Sequence, residues 1–443
     1  MTGKSTRREA LGLGLSAAAF TATGGSAWAD IKAADVASPA LKIESGATLK
    51  LLRPVRFVKP DEDLFRANAQ RFTDKTGVQV KVDFVGWEDI NQQTAVSSNS
   101  GAGPDIIIGF SDAPHIYADK LVEMTDVADY LGKRYGGWMT LAQRYGKRSN
   151  SETWISLPFG STAGPVIYRK SMIEAAGYSR VPDDHPGFLD LCQKLHKAGK
   201  PAGFALGNAV GDANTFVDWL LWSHAASLTD EGGNVVINSK ETIAALNYLK
   251  QLYPTLISGV TSWNDVSNNR AYSAGEISMT TNGVSLYFSL KNDPATAPIA
   301  VDSEHQYVPL GLAKTPPMAG LTLNAMVFKH SPYPNAAKAF LQFMLEREQY
   351  DPWLTANSGY WAHPLAAYGE SEVWKGDPKV AIFKDTMASR YWPGYAGPIT
   401  AATGAVRADF VLVQMCASVA TGAATPEAAA QEAERRAKRY FRR

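Results

Sequence analysis

The stretch GAGPDIIIGFSD, Gly101 to Asp112, decides the fold. Ile106, Ile107 and Ile108 run without alternation, the pattern of a strand buried on both faces in a parallel sheet flanked by helices. Gly101, Gly103 and Pro104 punctuate its entry and Gly109 its exit. Open α/β folds place their ligands beyond the carboxyl ends of such strands, so Phe110, Ser111 and Asp112 are candidates to face a bound molecule. A plain strand-to-helix turn, with Ser111 or Asp112 capping the next helix, is the competing reading.

Upstream, ATLKLLRPVRF reads as a strand and DEDLFRANAQRFTDKTG as a helix whose Phe65, Ala69 and Phe72 share one face and whose end is marked by Gly77. VQVKVDFVG alternates as a strand, and WEDINQQTAVSSNS reads as the helix that leads to PDIIIG. This β-α-β-α-β order starts a parallel, right-handed wound sheet. Downstream, WISLPFG and GPVIYRK read as strands joined by Ser161, Thr162 and Ala163. A helix-rich block follows: HPGFLDLCQKLHKAG, TFVDWLLWSHAAS and SKETIAALNYLKQLYP. EISMTTNGVSLYFSLKN then reads as strand-turn-helix and AGLTLNAMVFK as a late strand. The final helix has Thr425 as its cap and Pro426 at its first position. A late strand rejoins the first sheet only if the chain crosses between two lobes more than once. Multiple crossings make a hinge, and a hinge between α/β lobes makes a cleft.

Length and charge narrow the class. A chain of 443 residues suits two domains, and 44 Lys+Arg against 43 Asp+Glu argue against nucleic acid or an anionic membrane as obligatory partner. STRREALGLGLSAAAFTATGGSAWAD has a basic start, a short apolar stretch and Ala27-Trp28-Ala29 as a cleavage site. Residues 1–29 therefore read as a secretory signal, with Thr6-Arg7-Arg8 resembling a twin-arginine signal and an ordinary secretory route as the alternative. No cysteine stands at the cleavage point to carry a lipid. The expected location is the periplasm. Cys192 and Cys416 each sit in an apolar helical pattern, so two inert core thiols or one long-range disulfide are the options.

Catalytic and metal motifs are missing from the sequence. The seven histidines are scattered, with neither H-E-x-x-H nor cysteine partners at ligand spacing, and G-x-S-x-G, the Walker loop and a strand-following G-x-G-x-x-G do not occur. No cofactor or metal is expected. Aromatics supply the positive signal: Trp353, Trp361, Trp374 and Trp392, with Tyr360, Tyr391 and Tyr395, crowd turn-rich sequence near the end. On loops they offer flat faces to the C–H face of a sugar ring, or they plug the side of the core. Trp219 and Trp222, on one apolar helix, read as core.

These residues carry a resemblance. RFTDKTGVQVKV, GAGPDIIIGFSDAPHIYADKLVEMTD, WISLPFGSTAGPVIYRK, SAGEISMTTNGVSLYFSL and FKHSPYPNAAKAFLQFML, in this order, resemble segments of the family 1 extracellular solute-binding proteins. The match runs from about residue 48 to the C-terminus. The resemblance implies the two-lobed type II periplasmic binding fold, each lobe a sheet flanked by helices, closing over a sugar delivered to the permease of an ABC importer. It implies a hydrogen-bond acceptor at Asp112. Thr162 and Ser285 stand where maltose-type members carry an acid and a stacking tryptophan, which points away from a maltodextrin.

The expected division is a first lobe of 48–159 plus 320–360 and a second of 160–319 plus 361–443. The expected ligand set is Asp112, Thr162, Ser161, Asn282, Trp361, Tyr360, Trp392, Tyr395, Phe57 and Arg56. Arg53, Arg56 and Lys59 offer themselves to an anionic group, against a neutral sugar as the other option. The chain is expected to act as a monomer that captures its ligand without chemistry. The rival readings are a secreted carbohydrate-active enzyme and a receptor-coupled or adhesion module.

Overall fold

The structure is a computed structural model that describes residues 31–442, so the signal reading of residues 1–29 lies outside the described residues. The first sheet takes five strands: β1 (Thr48–Pro54), β2 (Gln79–Val85), β3 (Ile106–Phe110), β4 (Leu157–Thr162) and, much later, Leu321–Val327. Their spatial order is β2, β1, β3, the late strand, β4. β1 runs parallel to β2 and β3, as the β-α-β-α-β reading requires. The late strand returns antiparallel beside β3, with Ala325 opposite Ile108 and Leu323 opposite Phe110. Every residue of both these strands is buried, because helices cover both faces. The helix Lys59–Thr76 buries Phe65, Ala69 and Phe72 and ends at Gly77, whose φ of 78° lets its N–H reach Thr73 O at 2.7 Å.

A smaller antiparallel sheet forms the second lobe from β5 (Val166–Arg169), β6 (Met279–Thr281) and β7 (Ser303–Gln306), in the order β6, β5, β7. The late strand is thus β8. The helices His185–Lys197, Asp212–Ser223 and Lys240–Leu252 bury their apolar faces against one another in this lobe. Trp219 sits there as read from the sequence, and Cys192 and Cys416 are buried free thiols. The closing helices Val411–Ala420 and Pro426–Phe441 join the same core, the last capped by the Thr425 hydroxyl.

Among the described residues the chain passes between the lobes after β4, between β7 and β8, and again between Trp374 and the helix Val411–Ala420. Sequence reading put everything from residue 361 onward with the second lobe. In the structure Trp361, Tyr368 and Trp374 pack on the first lobe, beside Trp87, Tyr350 and the Tyr368 carbonyl, whereas Phe383 meets His305 of β7 and Tyr391 stacks on Trp222 of the second lobe. The physical reason is a buried charge. The Asp61 carboxylate accepts two hydrogen bonds from Arg53, at 2.9 and 2.7 Å, and one each from the indoles of Trp353 at 2.8 Å and Trp361 at 3.2 Å. Arg53 and Asp61 are each 1% exposed, so neither charge has water to turn to.

Two predictions follow from this packing. Asp61→Asn strips the charge opposite a buried guanidinium and should lower stability by about 3–5 kcal/mol in denaturant titration. Glu62→Gln, which removes the shared partner of the solvent-accessible Arg56 and Arg66, should cost no more than about 1 kcal/mol. Burial among apolar groups, with Lys384 adding to it, pushes the His363 imidazole down to about 3. The unfolded chain takes up this proton below about pH 6.5 while the folded chain refuses it until about 3, so stability falls as pH drops through that window. His363→Gln should therefore show a smaller fall in unfolding midpoint than the parent between pH 7 and pH 4. An identical fall in both would refute the assignment.

Candidate functional site

A pocket lies at the seam of the two lobes, and elements from both line it. From the first lobe come Phe57 after β1, Trp87 after β2, Thr162 at the end of β4, and Tyr360. Phe57 meets Trp87 edge-on with ring centroids 4.7 Å apart and Tyr360 at 5.8 Å, so the three form one aromatic wall. Trp87 is anchored by its indole N–H to Val55 O at 2.8 Å and stacks at 5.9 Å on Trp361 behind it. Trp361 meets Tyr360 edge-on at 4.8 Å, so the Asp61 cluster backs the whole wall.

The opposite wall belongs to the second lobe and is polar. Asp212 opens the helix Asp212–Ser223, and Asp265 reaches that helix from a distant loop. Asp265 accepts from the backbone N–H of Gly211 at 3.0 Å and of Asp212 at 2.8 Å, closing a helix terminus that lacks a side-chain cap of its own. Burial raises the Asp212 carboxyl well above the usual carboxylate range, and the charge of Asp265 raises it further. Burial likewise pushes Asp265 up to about 6, against the pull of those backbone donors, with Glu88 adding to the rise.

Asn282, Gly283 and Ser285 complete the polar side, where β6 turns into the helix Val284–Asn292. Asn282 donates to Asn269 Oδ1. The Ser285 hydroxyl is buried and has no partner. At Gly283 the lobes come close: a β-carbon there would stand 2.5 Å from Thr162 Oγ1 and 2.9 Å from the Tyr360 ring. The lobes are closed onto each other, leaving a cavity of about 30 Å³.

Of the residues named from sequence, Phe57, Thr162, Asn282 and Tyr360 meet in this pocket. The other six lie elsewhere. Asp112 lines a neighbouring pocket with Asn91, Asn214 and Arg407, behind the shared Leu321. It does not cap the following helix with its side chain; its Oδ2 is buried without a partner, and burial, opposed by Arg407, pushes the carboxyl up to about 6. Ser161 is wholly buried in the first sheet, its hydroxyl accepting from Thr322 at 3.1 Å. Trp361 backs the aromatic wall and is 2% exposed.

The remaining aromatics plug the seam rather than line the pocket. Trp392 donates to Gly397 O at 2.8 Å, and the Arg144 guanidinium covers its ring at 3.4 Å. Tyr395 packs on Trp222 and Tyr391. Arg56 is paired with Glu62 at 2.7 Å, and Lys59 with Asp63, so with Arg53 bound to Asp61 all three cations offered to an anionic ligand are taken. Sequence reading missed Trp87, Asp212 and Asp265. Trp87 follows the carboxyl end of a strand, the very position that singled out Asp112. The two acids had no such signal, since their approach depends on tertiary contact. Among the described residues no group of three or more His, Cys, Asp or Glu side chains is placed to hold a metal.

Comparison with known proteins places this geometry. No curated protein matches the sequence. Solved structures match the fold. A sugar transporter protein from Arthrobacter chlorophenolicus with bound laminaribiose is 17% identical at a TM-score of 0.75, over 89% of this chain and 99% of that one. A maltose-bound T. maritima protein is 20% identical at 0.73, over 89% and 99%. An ABC transporter solute-binding protein from Agrobacterium radiobacter in complex with ribitol is 18% identical at 0.72, over 89% and 98%. The family described as bacterial extracellular solute-binding protein matches residues 67–382, which is most of the chain. The chain belongs to the bacterial extracellular solute-binding proteins, a family that binds its solutes and does not transform them.

Proposed function

We propose that this chain captures a sugar or polyol between its lobes and delivers it to the membrane permease of an ABC importer. The observation that carries this is the seam pocket itself: a flat aromatic wall of Phe57, Trp87 and Tyr360, with Thr162 beside it, faces Asn282, Ser285 and Asp212. Such a pocket offers a stacking surface to C–H groups and hydrogen-bonding groups to hydroxyls. The laminaribiose, maltose and ribitol in the structures of similar fold support the same class of solute. A chain exported through a twin-arginine-like signal at residues 1–29 and working as a periplasmic monomer fits this role.

The lobes that close are best drawn with residues 361–374 on the first, where Trp361 and Tyr368 pack, and the stretch from Asp377 running along the second. In the open state the pocket admits the solute; closure brings Gly283 against Thr162 and Tyr360. A solute that touches both walls binds the closed form better, and that difference in affinity sets how far the population shifts. Asp112, set behind Leu321, acts on the seam rather than on the solute.

The test begins with a thermal-shift screen of sugars and polyols, in which a bound solute raises the unfolding midpoint by mass action. With a hit in hand, Trp87→Ala should weaken binding by tenfold to a hundredfold, on the order of 1–3 kcal/mol, by removing the stacking face. Asp112→Asn should weaken it less. A larger effect at Asp112 than at Trp87 would move the site to the neighbouring pocket. Gly283→Ala puts a methyl at the lobe contact and should lower affinity mainly by raising the dissociation rate, with the unfolding midpoint of the solute-free protein little changed. Unaltered dissociation kinetics would show that the lobes do not meet there in the bound form.

A further inference from the structure

The seam pocket carries an unbalanced charge. Its lining includes Asp212 and Asp265 and no lysine, arginine or histidine. The cations nearest in sequence to its walls are committed elsewhere, Arg53 to Asp61 and Arg56 to Glu62, and across the seam Arg407 pairs with Asp218. Asp265 has an internal task, receiving the N–H groups at the start of the helix Asp212–Ser223. Asp212 receives no such pair of backbone donors: the Asn268 side chain hydrogen-bonds to it, and its charged neighbour is the like charge of Asp265. The same pocket holds a group awaiting a partner, the Ser285 hydroxyl, 5% exposed and unbonded.

A wholly neutral solute would satisfy the hydroxyl and stack on the aromatic wall while leaving the half-buried Asp212 carboxyl beside buried Asp265 with no counter-charge. A cation supplies that counter-charge and favours the ionised form of Asp212 that burial and Asp265 disfavour. A bare metal ion is a poor candidate, since no third ligand of the required kind joins the two acids among the described residues. An organic cation fits better, because the ring faces of Phe57, Trp87 and Tyr360 attract positive charge as well as C–H groups.

Resting on the reading of the chain as a sugar- or polyol-capturing protein, we propose that its solute is an amino sugar or amino polyol, held by a salt bridge from its protonated amine to Asp212. Asp265 supports that bridge from behind, Ser285 takes a hydroxyl, and the aromatic wall covers the apolar face. On the same ground an acidic sugar should be refused, since it would add negative charge to a pocket lined by two acids and no cation.

Titration calorimetry on matched sets tests this: glucosamine, N-acetylglucosamine and glucose; galactosamine, N-acetylgalactosamine and galactose; and 1-amino-1-deoxyglucitol with glucitol. In at least one set the amine should bind tenfold or more tightly than its neutral counterparts, and Asp212→Asn should reduce that preference to threefold or less. The comparison within wild-type protein stands without the variant, should the variant fold poorly. Equal or tighter binding of the neutral member in each set that binds would overturn the amine assignment and leave sugar capture intact. No binding of any amine, sugar or polyol would overturn both.

Discussion

The first lobe is organised around one buried carboxylate. Asp61 gathers Arg53 from β1, Trp353 from the helix Arg347–Ala356, and Trp361 from the segment beyond it, all away from water. An unpaired charge in that place would be far more expensive than an exposed one, so the four groups stay together or the lobe does not form. The consequence reaches the seam. Trp361 cannot rotate without leaving Asp61, and Trp87 and Tyr360 lean on Trp361. The wall proposed to face the solute is therefore held by charge, through one intervening ring.

The second lobe presents its groups by a different device. A helix begins at Asp212 without a cap of its own, and Asp265 supplies the missing acceptor across more than fifty residues of sequence. The arrangement leaves two acids at the pocket and aims the positive end of a helix dipole at them. Between the two walls only Gly283 allows the approach seen here, since any side chain would press on Thr162 and Tyr360. One half thus offers rings and the other offers polar atoms, and neither suffices to enclose a solute alone. Binding and closure are one event.

The architecture was legible because its signals are local. The unbroken run Ile106–Ile108, the helical face of Phe65, Ala69 and Phe72, and the glycine at 77 each report a nearest-neighbour constraint, and each stands where expected. The late strand was placed by reasoning about crossings, and β8 does return beside β3. The site was legible only in part. Phe57, Thr162, Asn282 and Tyr360 lie at element ends that the alternation of strands and turns already marks. Trp361, Trp392 and Tyr395 have the composition of a binding loop, yet their indole and ring partners are Asp61, Arg144 and Trp222, which no local pattern announces. The Asp212–Asp265 contact was out of reach for the same reason, with 53 positions separating a backbone donor from its acceptor.

A disulfide across the seam tests the central claim most directly. Thr162→Cys with Gly283→Cys places two thiols where Thr162 Oγ1 and a β-carbon at 283 stand 2.5 Å apart, and the native cysteines are buried away from it. Oxidised protein, with the new bond verified by mass spectrometry, should be locked shut and fail to take up solute, and reduction should restore binding. Equal solute uptake by the oxidised and reduced forms would contradict the account, because the solute would then enter by a route that does not require the lobes to part.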